Sequence, residues 1–238
     1  GISAACRAAG RGVLSVAELS RVAVSAGEFD VLVGINRPSR WPELEAARVA
    51  GTLEMCRAWV ADTIVDVAAS LEQDEEIVSD IEGLRRNAAT LATLGAADAV
   101  VAVLTADPVS VARFVREYPQ LRSAAPQARV LVVVNKFRSG ALGLDGRGQI
   151  RRTLERFAGV DRVWFVPWDA RGADAGLLAA QPVAQAAGRA PLVGAVRRFV
   201  GEALADARAP LTATNGRHRQ RRGRGSVPVS DRRGRENA

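Results

Sequence analysis

Lysine, histidine and cysteine are scarce in this chain of 238 residues, which contains one lysine, one histidine and two cysteines. The lysine, Lys136, follows Asn135, whereas a Walker A phosphate-binding loop needs a lysine directly after a glycine. The 238 residues therefore contain no Walker A motif. With His218, Cys6 and Cys56 as the only such ligands, a zinc site and a histidine-dependent catalytic triad are disfavoured. We interpret the cysteines as buried free thiols, because they lie far apart in alanine-rich helical sequence.

Long hydrophobic runs are also absent. No run of about 18 or more apolar residues occurs, so the sequence predicts no transmembrane span. Its start lacks the charged segment followed by an apolar segment that marks a secretory signal peptide. The first residue is glycine rather than methionine, which we interpret as a truncation, a fragment or a processed start. These features favour a cytoplasmic protein.

The formal charge of +7 is concentrated at one end of the chain. Residues 211–238 contain eight arginines and two acidic residues, which leaves only +1 for residues 1–210. The glycine-, arginine-, serine- and proline-rich composition predicts a folded domain at 1–208 and a disordered tail at 209–238. Such a tail either binds DNA or an anionic membrane surface by counterion release or is simply solvated. Its candidate contacts are Arg217, Arg219, Arg221, Arg222 and Arg224.

Apolar segments alternate with helical patterns along residues 1–208. Strands that are apolar throughout and separated by helices are typical of a mostly parallel sheet with helices on both faces. The predicted fold class is therefore α/β. The predicted strands cover 29–34, 62–67, 98–104, 129–135 and 162–166. The predicted helices cover 1–11, 15–25, 42–59, 84–96, 108–122, 147–158, 172–180 and 191–206.

Polar residues at the carboxyl ends of these strands are the candidate site residues, because such sheets bind ligands at that edge. Asp66 ends the strand at 62–67, where a carboxylate either holds a Mg²⁺-bound water or caps the next turn. Asn135 ends the strand at 129–135, and its amide can contact a purine edge or satisfy local backbone groups. The turn containing Pro167 and Asp169 either forms the other wall of a base pocket or is an ordinary turn of such a sheet.

The residue three positions after Asn135 bears on which base would bind. Guanine-specific GTPases use the motif N-K-x-D, whose carboxylate accepts hydrogen bonds from the N1 and N2 donors of guanine. Arg138 stands at that fourth position. A cation cannot accept those hydrogen bonds, so a bound purine is expected to be adenine rather than guanine.

Four stretches, taken in order, resemble the C-terminal two-thirds of MinD/ParA-type P-loop ATPases. Among these, the chain is most similar to the actinobacterial MinD-like and pilus-assembly (CpaE/TadZ-like) group. The resemblance spans about residues 1–205, and no single motif in it is specific. The stretches are 31–34 with 37–44, 63–66, 85–91 with 97–100, and 132–136 followed by 166–169.

The resemblance implies an N-terminally incomplete P-loop NTPase-like domain that uses ATP and Mg²⁺ and forms a homodimer. By position, Asp66 resembles the catalytic Walker B and switch II aspartate, which holds Mg²⁺ through a water. Asn135 and the turn of Pro167 and Asp169 resemble the adenine pocket. The deviant Walker A motif of the family has no counterpart here. The residues after Asp66 read Val-Ala-Ala-Ser instead of completing Asp-x-Pro-Pro, which puts the switch movement in doubt.

Two functional hypotheses follow. In the first, the chain is a portion of an ATP-dependent spatial switch for chromosome partitioning, septum placement or pilus localisation. It is then inactive as given, a P-loop is expected upstream, and the sheet is expected to have a gap or an exposed apolar strand edge. In the second, it is a non-catalytic scaffold, peripheral to the nucleoid or membrane, that binds through the basic tail. A response-regulator-like or dehydrogenase domain fits less well, since the acidic cluster of the one and the G-x-G-x-x-G motif of the other are missing.

Overall fold

The computed structural model describes residues 1–69, 71, 87–140, 143 and 145–208. The predicted tail at 209–238 and the first residues of the helix predicted at 84–96 lie outside the described residues. The first part comprises α1 (Ile2–Gly10), α2 (Val16–Val22), β1 (Val24–Ser25), β2 (Asp30–Val31), a 3₁₀ helix (Pro38–Glu43) and α3 (Ala46–Trp59). The second part comprises α4 (Ala88–Ala96), β3 (Ala99–Thr105), α5 (Pro108–Ala124), β4 (Arg129–Phe137), α6 (Gly146–Ala158), β5 (Val163–Pro167), α7 (Ala170–Ala179), α8 (Val183–Ala186) and α9 (Pro191–Arg208).

A three-stranded parallel sheet in the order β3-β4-β5 organises the second part. Helices α5 and α6 cover one face, where Val111 and Ile150 pack against the strands in one buried cluster. Helix α9 covers the other face over β5, where the rings of Trp164 and Phe199 lie 5.3 Å apart. The predicted α/β class, with helices on both faces of a parallel sheet, is confirmed.

The strand predicted at 29–34 was wrong in length and direction. Only Asp30 and Val31 form a strand, and they pair antiparallel with β1. Gly27 has a φ of +82°, which L-residues rarely adopt, and this allows the tight turn of the hairpin. The carbonyl of Val33 accepts a hydrogen bond from the first residue of α1, Ile2, at 2.9 Å. The apolar segment therefore hydrogen-bonds to the start of α1 instead of joining the parallel sheet.

The strand predicted at 62–67 was also wrong, because these residues form no strand. An apolar run becomes a strand only where a neighbouring strand supplies hydrogen bonds, and β3 pairs with β4 alone in the described part. Ile64 is 97% exposed, and Val101 and Val103 of β3 are 47% and 60% exposed. Two apolar side chains of β3 are thus exposed on one face of the sheet.

Residues of α1, α2 and α3 form a second, smaller core around Ala5, Leu19 and Cys56. The prediction of buried free thiols is confirmed for Cys6 and Cys56. Burial raises the pKa of both thiols, since a desolvated thiolate is disfavoured. The helix predicted from Pro42 begins later, at Ala46, because Pro42 lies within the 3₁₀ helix. No helix in the described ranges is both long and apolar enough to cross a membrane.

Candidate functional site

The carboxyl ends of β3, β4 and β5 meet at one edge of the sheet, because the strands are parallel. Thr105 at the end of β3 stands opposite Asn135 of β4. The Asn135 carbonyl accepts a hydrogen bond from the Ala106 amide at 3.0 Å. Phe137 in turn stands opposite Pro167 of β5. The edge therefore places Asn135 and the Pro167 turn on adjacent strand ends.

Asn135 lies at an irregularity in β4. The register with β5 shifts between Val134 and Phe137, and Lys136 has a φ of +56°. The Asn135 Oδ1 accepts a hydrogen bond from the Lys136 amide at 2.7 Å. Within the described residues, the Asn135 side-chain nitrogen donates no hydrogen bond. It is therefore the group that this side chain can offer to a ligand acceptor.

Trp168 forms an aromatic wall beside this irregularity. Its amide donates to the Phe137 carbonyl at 2.8 Å, which ties the turn after β5 to the end of β4. The side chain is 47% exposed. The Arg138 guanidinium lies 4.4 Å from the ring centroid and the Lys136 Nζ lies 6.0 Å from it. The sequence singled out the turn but not this ring, although a tryptophan directly after a predicted strand was the available signal.

Asp169, predicted as a base contact, caps two helices. Its Oδ1 accepts from the Gly172 amide of α7 at 2.9 Å, and its Oδ2 accepts from the Leu192 amide of α9 at 3.3 Å. Each carboxylate oxygen therefore stabilises the start of one helix. An open groove of about 660 Å³ runs past this junction between Asp169 and Pro191. A Cβ at Gly172 would lie 2.9 Å from the Cβ of Ala190, so the close approach requires a glycine.

Asp107, at the same edge, was not among the predicted site residues. It caps α5, because its Oδ1 accepts from the Ser110 amide at 2.9 Å. The Thr105 hydroxyl and then the Ser110 amide hydrogen-bond the carboxylate, and they lower the pKa of Asp107. The sequence signal was an Asp-Pro pair after a strand, which is typical of a helix start. Asp107 positions α5 behind the site.

Asp66, the predicted Mg²⁺ contact, is exposed and lies in a segment that the structure does not pair with the sheet. Strand pairing therefore does not carry it to the edge that holds Asn135. In the described ranges, no group of three or more acidic, histidine or cysteine side chains is arranged to hold a metal ion. Asn135 and the turn at Pro167 thus meet at one edge of the sheet, and Asp66 is not joined to them by strand pairing.

The backbone topology is similar to that of a solved protein, the ParA family ATPase from Chlorobium tepidum TLS. The TM-score is 0.64 at 18% sequence identity, and the match covers 85% of this chain and 74% of that chain. No protein-family model and no curated protein matches the chain. The fold is thus α/β, with a backbone similar to that of this ParA family ATPase.

Proposed function

We propose that residues 1–238 are the base-binding portion of a ParA-like ATPase. The complete protein would act as an ATP-dependent spatial switch in chromosome partitioning, septum placement or pilus localisation. It would use Mg²⁺ and work as a homodimer. The observation that supports this most is the pairing of two adjacent strand ends, which brings Asn135 beside the turn at Pro167. This arrangement occurs in a sheet of ParA-like topology.

Adenine is the base that these residues favour. The Asn135 side-chain nitrogen can donate to a ring nitrogen of the purine, and Trp168 offers a flat apolar face beside it. Arg138 and Lys136 lie over that ring and carry no acceptor, so the donors of guanine find no carboxylate there. Pro167 supports the turn from the end of β5. Asp169 supports base binding by fixing the turn through its hydrogen bonds to Gly172 and Leu192. A contact between Asp169 and the base would be made in addition to these two hydrogen bonds.

Hydrolysis is expected only when a phosphate-binding lysine is supplied. Lys136, the sole lysine, lies at the base-binding edge and follows Asn135 rather than a glycine. In the complete enzyme, Asp66 would hold the Mg²⁺-bound water, and its exposed segment would first have to join the sheet. Purified 1–238 should therefore release no phosphate from ATP above background. ATP turnover by purified 1–238 that is lost in an Asp66→Asn variant would contradict the requirement for an added phosphate-binding lysine.

The base-binding assignment is tested by titrating 1–238 with adenosine monophosphate and guanosine monophosphate in ligand-observed NMR. We expect adenosine monophosphate to bind more tightly. Asn135→Ala should weaken its binding about tenfold, which is the effect of losing one useful hydrogen bond. Gln127→Ala is the matched control, since Gln127 is an exposed amide just before the opposite end of β4. Equal affinity for both nucleotides, or equal losses in both variants, would refute the assignment.

The alternative function, a scaffold that binds DNA or anionic membrane, rests on the eight arginines of residues 211–238. Binding of this kind falls steeply with added salt. Deleting residues 209–238 should then abolish binding to duplex DNA or to phosphatidylserine vesicles at low salt. Binding that survives the deletion would reject the tail as the contact.

A further inference from the structure

Strand β3 pairs on one side only in the described part of the chain, where its neighbour is β4. At one end of this pairing, the Arg129 amide donates to the Asp98 carbonyl at 3.1 Å; at the other, the Ala106 amide donates to the Asn135 carbonyl at 3.0 Å. Backbone groups alternate sides along a strand, so the even-numbered residues of β3 face β4. The residues whose amides and carbonyls point away from β4 are Ala99, Val101 and Val103. We call these three residues the open edge.

The open edge stops at Thr105, where the chain satisfies its own backbone. The Thr105 amide donates to the Ser110 hydroxyl at 3.0 Å, and the Thr105 carbonyl accepts from the Asp107 amide at 2.9 Å. Edge strands are normally protected by a charged side chain, a proline or a bulge. β3 reads Ala-Val-Val-Ala-Val-Leu-Thr and pairs with β4 in an unbroken register, so it has none of these protections.

The side chains of the open edge form an apolar strip on one face of the sheet. Val103 is in register with Val133 of β4 and, through it, with Trp164 of β5, so the three side chains share that face. Helix α9 packs on the face at Trp164 through Phe199. Val103, two strands away, stays exposed, as does Val101. A strand added beside β3 would therefore gain apolar contacts as well as hydrogen bonds.

Residues 62–67 are a matching segment without a strand partner. They read Asp-Thr-Ile-Val-Asp-Val, and β-branched residues of this kind favour an extended strand. Ile64 is almost fully exposed. Within the described residues, the backbone of 62–67 forms no hydrogen bond. The chain thus contains both an open strand edge and an unpaired strand-forming segment.

These two features lie close together along the fold. Arg57, near the end of α3, pairs with Asp98, directly before β3, at 2.8 Å. The chain therefore leaves α3 beside the start of β3, and residues 62–67 begin five residues after Arg57. A two-fold interface between identical chains uses every contact twice, so a neighbouring donor and acceptor suit one dimer. Residues 1–210 carry a net charge of only +1, so two copies repel each other little.

We propose that the open edge is a docking site for residues 62–67 of a second copy of this chain. The docked segment lies beside β3 as an added strand, hydrogen-bonds the amides and carbonyls of the open edge, and packs valine side chains on Val101 and Val103. Strand addition of this kind takes its affinity from main-chain hydrogen bonds and its specificity from alternate side chains. The second copy receives residues 62–67 of the first in return, so the dimer has two equivalent contacts.

The test is sedimentation velocity of the full chain from about 1 to about 200 µM, in about 0.3 M salt to screen attraction through residues 211–238. The average mass should rise from 25.2 kDa toward twice that value. Val65→Pro removes an amide from the docking segment, and Val103→Lys places a charge on the open edge. Each should weaken dimerisation at least about tenfold. The matched controls, Ala69→Pro beyond the segment and Leu177→Lys at an exposed position of α7, should change it less than about twofold.

Mixing the two defective variants identifies the pairing itself. Val65→Pro keeps the open edge, and Val103→Lys keeps the docking segment, so a mixed dimer can form one of the two contacts. A fluorescein-labelled Val103→Lys chain should therefore associate with Val65→Pro more tightly than either variant associates with itself. No nucleotide is present, so failure of this test leaves the base-binding assignment intact.

Several outcomes would overturn the proposal. An unaltered chain that stays monomeric over the whole concentration range would reject the docking site. A Val65→Pro variant that dimerises like the unaltered chain would show that β3 pairs with β3 or that another surface is used. A mixture that recovers no dimer would reject the pairing of 62–67 with β3, and equal losses in the controls would show unspecific apolar association. Circular dichroism melts of each variant confirm that the comparison is between folded proteins.

Discussion

Replacing Asp169 by alanine removes one carboxylate from the starts of two helices at once. The side chain caps α7 through Gly172 at 2.9 Å and α9 through Leu192 at 3.3 Å. Loss of an N-cap costs about 1 kcal/mol for each helix, so the free energy of unfolding should fall by about 2 kcal/mol. For a domain of this size, that corresponds to a melting temperature lower by about 4–8 °C.

Asp145→Ala is the matched control, because Asp145 caps a single helix, α6, at 3.2 Å. Its ion pair with Arg152 is exposed and adds little. We expect a loss of about 1 kcal/mol there, half of the loss at Asp169. Asp169→Asn keeps one acceptor oxygen and should fall between the two. The assay is urea unfolding followed by circular dichroism. A loss at Asp169 no larger than that at Asp145 would refute the double-cap reasoning.

Three further predictions concern pH, the core and the open edge of the sheet. Arg40 hydrogen-bonds Glu43 and lowers the pKa of Glu43 to about 2. The ionised Glu43 therefore stabilises the fold above its ordinary pKa of 4.5 and loses this effect as the pH falls toward 2. In a Glu43→Gln variant, the free energy of unfolding should depend less steeply on pH within that window. Leu154→Ala, at 0% exposure, should cost about 3 kcal/mol in urea unfolding, whereas Leu177→Ala, at 79% exposure, should cost less than about 0.5 kcal/mol. Val103→Thr, on the open side of β3, should reduce light scattering on heating without lowering the melting temperature; unchanged scattering would show that this edge does not drive aggregation.

Apolar runs predicted β3, β4 and β5 well, because each run has a neighbouring parallel strand to pair with. The run at 129–135 became β4 with buried positions on both faces. The same signal failed at 62–67, where Ile64 is exposed. A run of valine and isoleucine indicates that a segment can be buried, but it does not indicate whether a neighbouring strand is available to pair with it.

The candidate site divides in a similar way. The positions of Asn135 and Pro167 near strand ends were predictable, since a polar residue or a proline after an apolar run marks the region where a strand ends. The second cap made by Asp169 was not, because its partner Leu192 lies 23 residues further along the chain. The stacking of Arg138 on Trp168 was equally hidden, since it depends on the hydrogen bond that joins the turn to β4.

By itself, the sequence determined the α/β class, the three central strands, the lack of a Walker A lysine and the uneven charge. Each of these follows from residue type and local spacing. Only the tertiary structure decided that 29–34 forms part of a hairpin, that 62–67 stays unpaired in the described part, and that Arg138 stacks on Trp168. The physical reason is that pairing, capping and stacking join groups distant in sequence, and their geometry exists only after the chain has folded.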